Sequence, residues 1–202
     1  MKIENLTKTS KIHTCNVYLV TDDTHHKGKN TLVDVGKDPL VINKLRNISK
    51  NLNRKFRLDQ VIITHDHYDH SYILPEIVKE FNPKVYAYSP IVRGIKAIEI
   101  LKNNQYIKLG EKYFIASQAH AHSEDSIFLY SQAAGILFTG DVNFRLRIPT
   151  GEYSKKFLQN LKTISKQNVK TIFPGHGEPV FDNCNPILLR TLTNVTQSAI
   201  IA

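Results

Sequence analysis

Cysteine is scarce, acid is in short supply, and no long apolar run occurs. Cys15 and Cys184 are the only cysteines in 202 residues. They stand far apart and in no Cys-x-x-Cys or Cys/His spacing, which indicates neither a disulfide scaffold nor a structural zinc knot and fits a reducing compartment. No uninterrupted stretch of about 18 apolar residues is present, so nothing in the sequence reads as a membrane-spanning helix. Met1-Lys2-Ile3-Glu4-Asn5-Leu6 lacks an apolar signal core and a small-residue cleavage site, so the expected location is the cytoplasm. No glycine-rich loop follows any candidate strand, which argues against a dinucleotide or Walker-type site.

The acid deficit is 18 Asp and Glu against 27 Lys and Arg, a formal charge of +9. Such a surplus favours anionic small molecules, nucleic acid or an anionic surface by long-range attraction. The most biased part is Lys44, Arg46, Lys50, Arg54, Lys55 and Arg57. With only Phe56 interleaved, it reads as a solvated helix-and-loop face rather than a base-stacking platform. The length fits one domain over residues 1–202, large enough for a multi-layer core.

What the chain does contain is concentrated at Thr64-His65-Asp66-His67-Tyr68-Asp69-His70, directly after the apolar run Val61-Ile62-Ile63. Three imidazoles and two carboxylates in six residues would cost an apolar core desolvation and return nothing, so their density needs a cause outside folding. Imidazole and carboxylate suit divalent first-row metals. His65 and His67, two apart on an extended or curved loop, can point at one ion. Asp69 and His70 can turn toward a second ion about 3.5 Å away, the usual two-metal separation.

The rest of the chain reads as alternating strands and helices. Residues 15–20 and 31–35 are β-rich runs joined by a polar stretch, residues 21–30, in which His25 and His26 are expected to be exposed. Asp34 interrupts the second run just before Gly36. It reads equally as a hydrogen-bond acceptor for a metal-bound imidazole and as a turn cap. Asp38-Pro39 starts a helix with Val41, Leu45 and Ile48 on its apolar face. Residues 59–64 form a buried strand, and Ile73, Leu74, Ile77, Val78 and Phe81 keep a helical period after the histidine loop. A strand over residues 84–88 precedes Ser89-Pro90, which predicts a helix carrying Ile91, Ile95 and Ile98.

Residues 106–109 and 113–116 flank a hairpin connection at Gly110-Glu111, and two more strands follow at residues 126–130 and 136–139. A helix with Tyr153, Phe157, Leu161 and Ile164 comes next, then a strand over residues 169–173. Asn185-Pro186 predicts a final helix with Leu188, Leu192, Val195 and Ala199 along one face. With two groups of strands for the helices to cover, the expected α/β fold is a four-layer α/β/β/α sandwich.

Further polar residues interrupt or end apolar strands: His120 and His122, Asp141 after Gly140, and His176 between Gly175 and Gly177. If the strand ends converge, these groups complete a two-ion set. His65, His67 and His122 are assigned to one ion and Asp69, His70 and His176 to the other, with Asp141 bridging to offset the repulsion of two close cations. His120 is left as a hydrogen-bond donor to a ligand, a substrate contact or an exposed residue.

His-x-His-x-Asp-His at 65–70, followed by a later His, Gly140-Asp141 and Gly175-His176-Gly177, resembles the metallo-β-lactamase superfamily. The resemblance extends to Leu32-Val33-Asp34-Val35-Gly36 and is nearest to the glyoxalase II-like hydrolases. Their third-histidine motif, Gly-His-Thr-x-x-Ser, is matched by Ala121-His122-Ser123-Glu124-Asp125-Ser126, which carries the ligand role onto His122 rather than His120. The resemblance implies two divalent ions, zinc as first choice with iron or manganese as alternatives. It also implies hydrolysis of a small ester, thioester or lactone by attack of a metal-bridging hydroxide, with Asp69 or Asp141 as candidate proton shuttles. Only one helix is expected after His176, where glyoxalase II enzymes carry a further helical region, so fold and metal chemistry transfer better than substrate.

Arg145 and Arg147 fall on one side of an extended segment and are candidates for holding a substrate carboxylate. The expected partner is therefore an anionic small molecule. Nucleic acid and membrane are not expected partners, and a homodimer is compatible with this reading. Two other activities are weighed against hydrolysis: a mononuclear iron persulfide dioxygenase, using two histidines and one aspartate, and a phosphodiesterase or binding protein drawn to nucleic acid by the +9 charge.

Overall fold

The computed structural model describes residues 1–22, 28–51, 56–96 and 98–201. The expectations for His25, His26, Arg54 and Lys55 lie outside the described residues. A first sheet of six strands holds β1 (Lys2–Asn5), β2 (Tyr18–Thr21), β3 (Thr31–Val33), β4 (Gln60–Ile62), β5 (Lys84–Ala87) and β6 (Ile98–Ile100) in spatial order. The first three are antiparallel, and β3 to β6 run parallel. Interposed are α1 (Leu40–Asn51), α2 (Tyr68–Ser71) and α3 (Leu74–Phe81).

The second sheet is a meander of β7 (Gln105–Leu109), β8 (Lys112–Gln118), β9 (Ile127–Ser131) and β10 (Ile136–Gly140). A two-stranded sheet pairs β11 (Glu152–Ser154) with the C-terminal β13 (Ala199–Ile201), and between them come α4 (Lys155–Ile164), β12 (Thr171–Pro174) and α5 (Cys184–Thr196). Strand β12 completes the second sheet by pairing parallel to β10.

Three apolar clusters fill the three interlayer spaces of an α/β/β/α sandwich. Val41, Leu45, Leu74 and Ile77 from the helices pack on Leu19, Leu32, Val61 and Val85 of the first sheet. Tyr18, Val20, Val33 and Ile62 from its other face meet Phe114, Leu129, Phe138 and Phe173 of the second sheet. The outer face of that sheet, with Phe128, Tyr130 and Leu137, packs on Phe157, Leu161, Leu188 and Val195. Neighbours such as Leu32 and Val33, Val61 and Ile62, or Leu137 and Phe138 serve opposite layers, because successive strand side chains point to opposite faces. Burial on both faces is why these strands read as unbroken apolar runs.

The helix expected over Ile91, Ile95 and Ile98 does not form. Arg93 and Gly94 take φ of +46° and +77°, Val92 and Ile95 pair across the turn, and Ser89 Oγ donates to Ile91 O rather than capping a helix. Ile98 instead enters β6 and extends the first sheet. Two helices also begin or end differently from expectation. Tyr153 and Ala199 lie in β11 and β13, while α4 is capped by Ser154, whose Oγ accepts from the Phe157 N–H at 3.1 Å. Helix α5 starts at Cys184, and the Asn185 side chain turns away to accept from the Val169 N–H. Strand β1, too polar to signal itself, is held by pairing with β2. Asp38 does cap α1, its Oδ1 accepting from the Leu40 N–H at 2.9 Å. Among the described residues, no helix is long and apolar enough to cross a membrane.

Phe138 is 1 % exposed and touches Tyr18, Phe114 and Phe173 between the sheets. Phe138→Ala is expected to lower the unfolding free energy by about 3–5 kcal/mol in urea denaturation; a loss under about 1 kcal/mol would show that the two sheets do not depend on this contact.

Candidate metal centre

Each of the candidate ligands read from the sequence, and Asp34 with them, follows the C-terminal end of a strand. Asp34 follows β3, residues 65–70 follow β4, His122 follows β8, Asp141 follows β10 and His176 follows β12. Strands β3 and β4 run parallel. The pairings of β8, β9, β10 and β12 leave β8, β10 and β12 pointing one way. The two sheets therefore deliver their polar loops to one shared edge. There the β10–β12 register shifts between Phe138 and Gly140, a bulge of the kind that re-aims the following side chain.

Three ring nitrogens form a nearly equilateral triangle. His65 Nε2 lies 3.1 Å from His67 Nδ1, and His122 Nε2 lies 3.0 Å from each. Ligand atoms around a tetrahedral zinc with bonds of 2.0–2.1 Å are separated by about 3.3 Å. The triangle therefore fits one face of such an ion. Burial, together with the charge of neighbouring His70, pushes His65 down to about 4. A neutral imidazole keeps one ring nitrogen as an acceptor for a ligand. Burial also lowers His122, against the pull of Asp141.

A second set adjoins it. His70 Nε2 lies 3.1 Å from Asp141 Oδ1, and His176 Nε2 lies 3.0 Å from Asp69 Oδ2 and 3.5 Å from Asp141 Oδ2. Asp141 Oδ2 also stands 3.7 Å from His122 Nε2 and 4.0 Å from His65 Nε2, so this carboxylate lies between the two sets. His70 Nε2 and Asp141 Oδ1 are buried and, though close, are not aligned as a hydrogen bond; among the described residues neither has another hydrogen-bond partner. Orphaned polar atoms facing one another are what a cation between them would satisfy.

Burial works against charge at both groups, yet Asp34 and Asp141 raise His70 and contact with His70 lowers Asp141 to about 2. The positive charge that these carboxylates demand can be met by a proton or by an ion. The donor types and spacing fit divalent metal.

Asp34, 2 % exposed, is the support beneath His70. Its Oδ2 is 2.9 Å from His70 Nδ1, while its two oxygens accept from the Thr64 N–H at 2.7 Å and Thr64 Oγ at 2.8 Å. Of its two sequence readings, the structure displays the imidazole acceptor. Its φ of +60° costs on the order of 1 kcal/mol for a residue with a Cβ. Nδ1–H donation to Asp34 leaves Nε2 as the outward-facing lone pair. Gly175 makes the opposite concession. A Cβ there would collide with Asp141 Oδ1 and lie 2.8 Å from His70 Cε1, so only glycine lets the β12 loop approach.

His120 stands apart from these sets. Its carbonyl accepts from Ser154 Oγ, and burial together with the Lys156 charge lowers its ring pKa. Arg145 lies on the rim of a groove of about 300 Å³, lined also by Asp141, Asn143, Phe144, Ile172 and His176. Its guanidinium donates to the carbonyls of His176 and Glu178 at 3.3 and 3.4 Å. Arg147 is exposed and outside that lining.

Residues 13–16 also reach the site, where the sequence gives no expectation of them. The His13 ring stacks on His176 with centroids 5.3 Å apart, and its ligating atom lies within 4.8 Å of those of Asp69 and His176. The Cys15 thiol lies beside Asp34 and His70, pushed up to about 12 by burial, and so stays protonated. Arg93 is likewise unexpected: it donates to Ser71 Oγ and Asp66 O, both at 2.8 Å, clamping the histidine loop. Polar residues crowded just before a strand were the one available signal for the first group; nothing marked Arg93.

Asp34→Asn keeps the shape and removes the charge that fixes His70. It is expected to weaken divalent-metal binding 10–100-fold in chelator competition; unchanged affinity would show that His70 needs no carboxylate behind it.

The sequence profile described as "Metallo-beta-lactamase superfamily" matches residues 11–114 and 107–176. The chain is 27 % identical to the coenzyme F420H(2) oxidase of Methanocaldococcus jannaschii, over 84 % of this chain and 50 % of that one. It is 30 % identical to the cytoplasmic hydroxyacylglutathione hydrolase of Saccharomyces cerevisiae, over 79 % of this chain and 62 % of that one. It thus spans half to three-fifths of these two relatives. The flavoprotein TM0755 of Thermotoga maritima superposes with a TM-score of 0.66 at 20 % identity, over 89 % of this chain and 52 % of that one. With the profile covering both sheets and the loops at their common edge, the chain belongs to the metallo-β-lactamase superfamily.

Proposed function

We propose that the chain is a dinuclear metal-dependent hydrolase of small thioesters, esters or lactones bearing an acidic group. His65, His67 and His122 would hold one ion, Asp69, His70 and His176 the other, and Asp141 both. The observation that carries the reading is the all-imidazole triangle, a donor set that suits zinc and matches the three-histidine composition of catalytic zinc sites. Ions held there supply Lewis acidity and a coordinated water acidic enough to attack a carbonyl at neutral pH.

The chain's own groups prepare that chemistry. Asp34 holds the His70 tautomer, and Gly175 lets the His176 loop close on Asp141. Asp69, partly exposed and 3.0 Å from His176, or Asp141 would pass a proton to the leaving group. The groove, at the small end of ligand pockets, takes a short acyl group with Arg145 at its rim. Hydrolysis of a thioester is favoured among the three bond types by the similarity to a hydroxyacylglutathione hydrolase.

A second reading rests on the composition of the other set. Two imidazoles and a carboxylate make up the donor triad of non-haem iron oxygenases, and the similarity to an F420H(2) oxidase points toward redox chemistry. Metal analysis of protein prepared without added metal, with parallel assays of thioester hydrolysis and oxygen uptake, separates the two. The hydrolase reading expects two zinc ions per chain and thioester cleavage; iron with oxygen uptake and no cleavage would overturn it. Arg145→Ala is expected to raise KM about tenfold for an acidic thioester and far less for a neutral one. Equal changes would remove Arg145 from substrate recognition.

A further inference from the structure

Residues 13–16, without regular secondary structure, run between the loop that follows β4 and the loop that follows β12 and bond to both. Toward the first sheet, the Cys15 N–H donates to Asp69 O at 3.2 Å and Thr14 Oγ donates to the same oxygen at 3.4 Å. Toward the second sheet, the Asn16 N–H donates to Gly175 O at 2.7 Å. The Asn16 side-chain NH2 donates to Pro174 O at 2.9 Å and to Gly177 O at 2.8 Å. Asn16 Oδ1 accepts from Asn5 Nδ2 at 2.8 Å, which sets the orientation of the amide.

Both side-chain amide protons are thus spent on carbonyls that flank Gly175-His176. The same loop is also held by the Gly175 N–H on Gly140 O, by the Tyr18 hydroxyl on Pro174 O and by Arg145 on the His176 and Glu178 carbonyls, but of these ties only those of Asn16 come from the segment that also bonds to Asp69 O. The His176 side chain is 37 % exposed, and the described contacts of its ring are with Asp69, Asp141, His70 and His13. Asp69 and His70 come from one sheet and His176 from the other, so their spacing is set by whatever ties the two loops together. His65, His67 and His122 receive none of the described hydrogen bonds of residues 13–16.

From this asymmetry we infer that Asn16 is a positioning residue for one half of the centre: it fixes His176 against Asp69 and His70, and so sets the affinity for one of the two ions while leaving the other alone. The inference rests on the two-ion reading above. Outer groups that orient ligands characteristically change metal affinity by 10–100-fold when removed.

The test is a zinc titration of the full chain after chelator stripping, by calorimetry with a competing chelator, for wild type, Asn16→Ala and Asn5→Ala. Two equivalents are expected in the wild type. In Asn16→Ala the second binds at least about tenfold more weakly, while the first stays within about twofold. Asn5→Ala frees the Asn16 amide to turn and also removes the acceptor of Thr7, whose Oγ donates to Cys15 O; it is expected to give the same selectivity with a smaller loss and carries the test if Asn16→Ala does not fold. A single equivalent in the wild type removes the two-ion reading and this inference with it. Two equivalents in the wild type, with the second step unchanged in the variants or with both steps weakened alike, overturn this inference alone.

Discussion

The constraint on which the rest depends is the crowding of imidazoles and carboxylates at one edge of the sandwich. Three imidazole nitrogens within 3.1 Å of one another, and a buried nitrogen and oxygen facing each other without alignment, do not stabilise a protein by themselves. Desolvating such groups costs free energy that only a partner recovers. The chain spends structure to keep them there: Asp34 at positive φ, a register shift ahead of Asp141, and a glycine where any Cβ would collide. A cation is the partner that meets all of these demands at once.

The architecture explains how groups spread over more than a hundred residues reach one point. Both sheets end their forward-running strands on the same side, and the apolar layer between them, built around Phe114, Phe138 and Phe173, fixes the sheets face to face. The spacing of the candidate ligands is thereby coupled to packing. A shift between the sheets moves His122, Asp141 and His176 relative to His65, His67, Asp69 and His70. Residues 13–16 cross that boundary with hydrogen bonds rather than apolar area, which suits a place where the core has run out and the loops begin.

Much of this was legible in the sequence, for identifiable reasons. The four layers follow from strands apolar on both faces, and the histidine cluster was conspicuous because its residue types have no use in a core. The helix expected at Ile91, Ile95 and Ile98 failed because a helical spacing of three isoleucines says nothing about Arg93 and Gly94, whose positive φ breaks the segment. Tyr153 and Ala199 continued the period of their helices but pair as strands, a tertiary preference that periodicity does not encode. The roles of Asn16 and Arg93 were hidden because they act on backbone carbonyls and on a hydroxyl, through partners distant in sequence. Asp34 was readable only as two alternatives, since a turn cap and an imidazole acceptor look the same before Gly36.

In the proposed reading these groups would hold a pair of divalent cations with Asp141 between them. The most direct measurement is a metal-bound crystal structure with anomalous scattering recorded at the zinc and iron edges. Two zinc peaks about 3.5 Å apart are expected, one against His65, His67 and His122, the other against Asp69, His70 and His176. A single iron peak, or metal bound away from these residues, would contradict it.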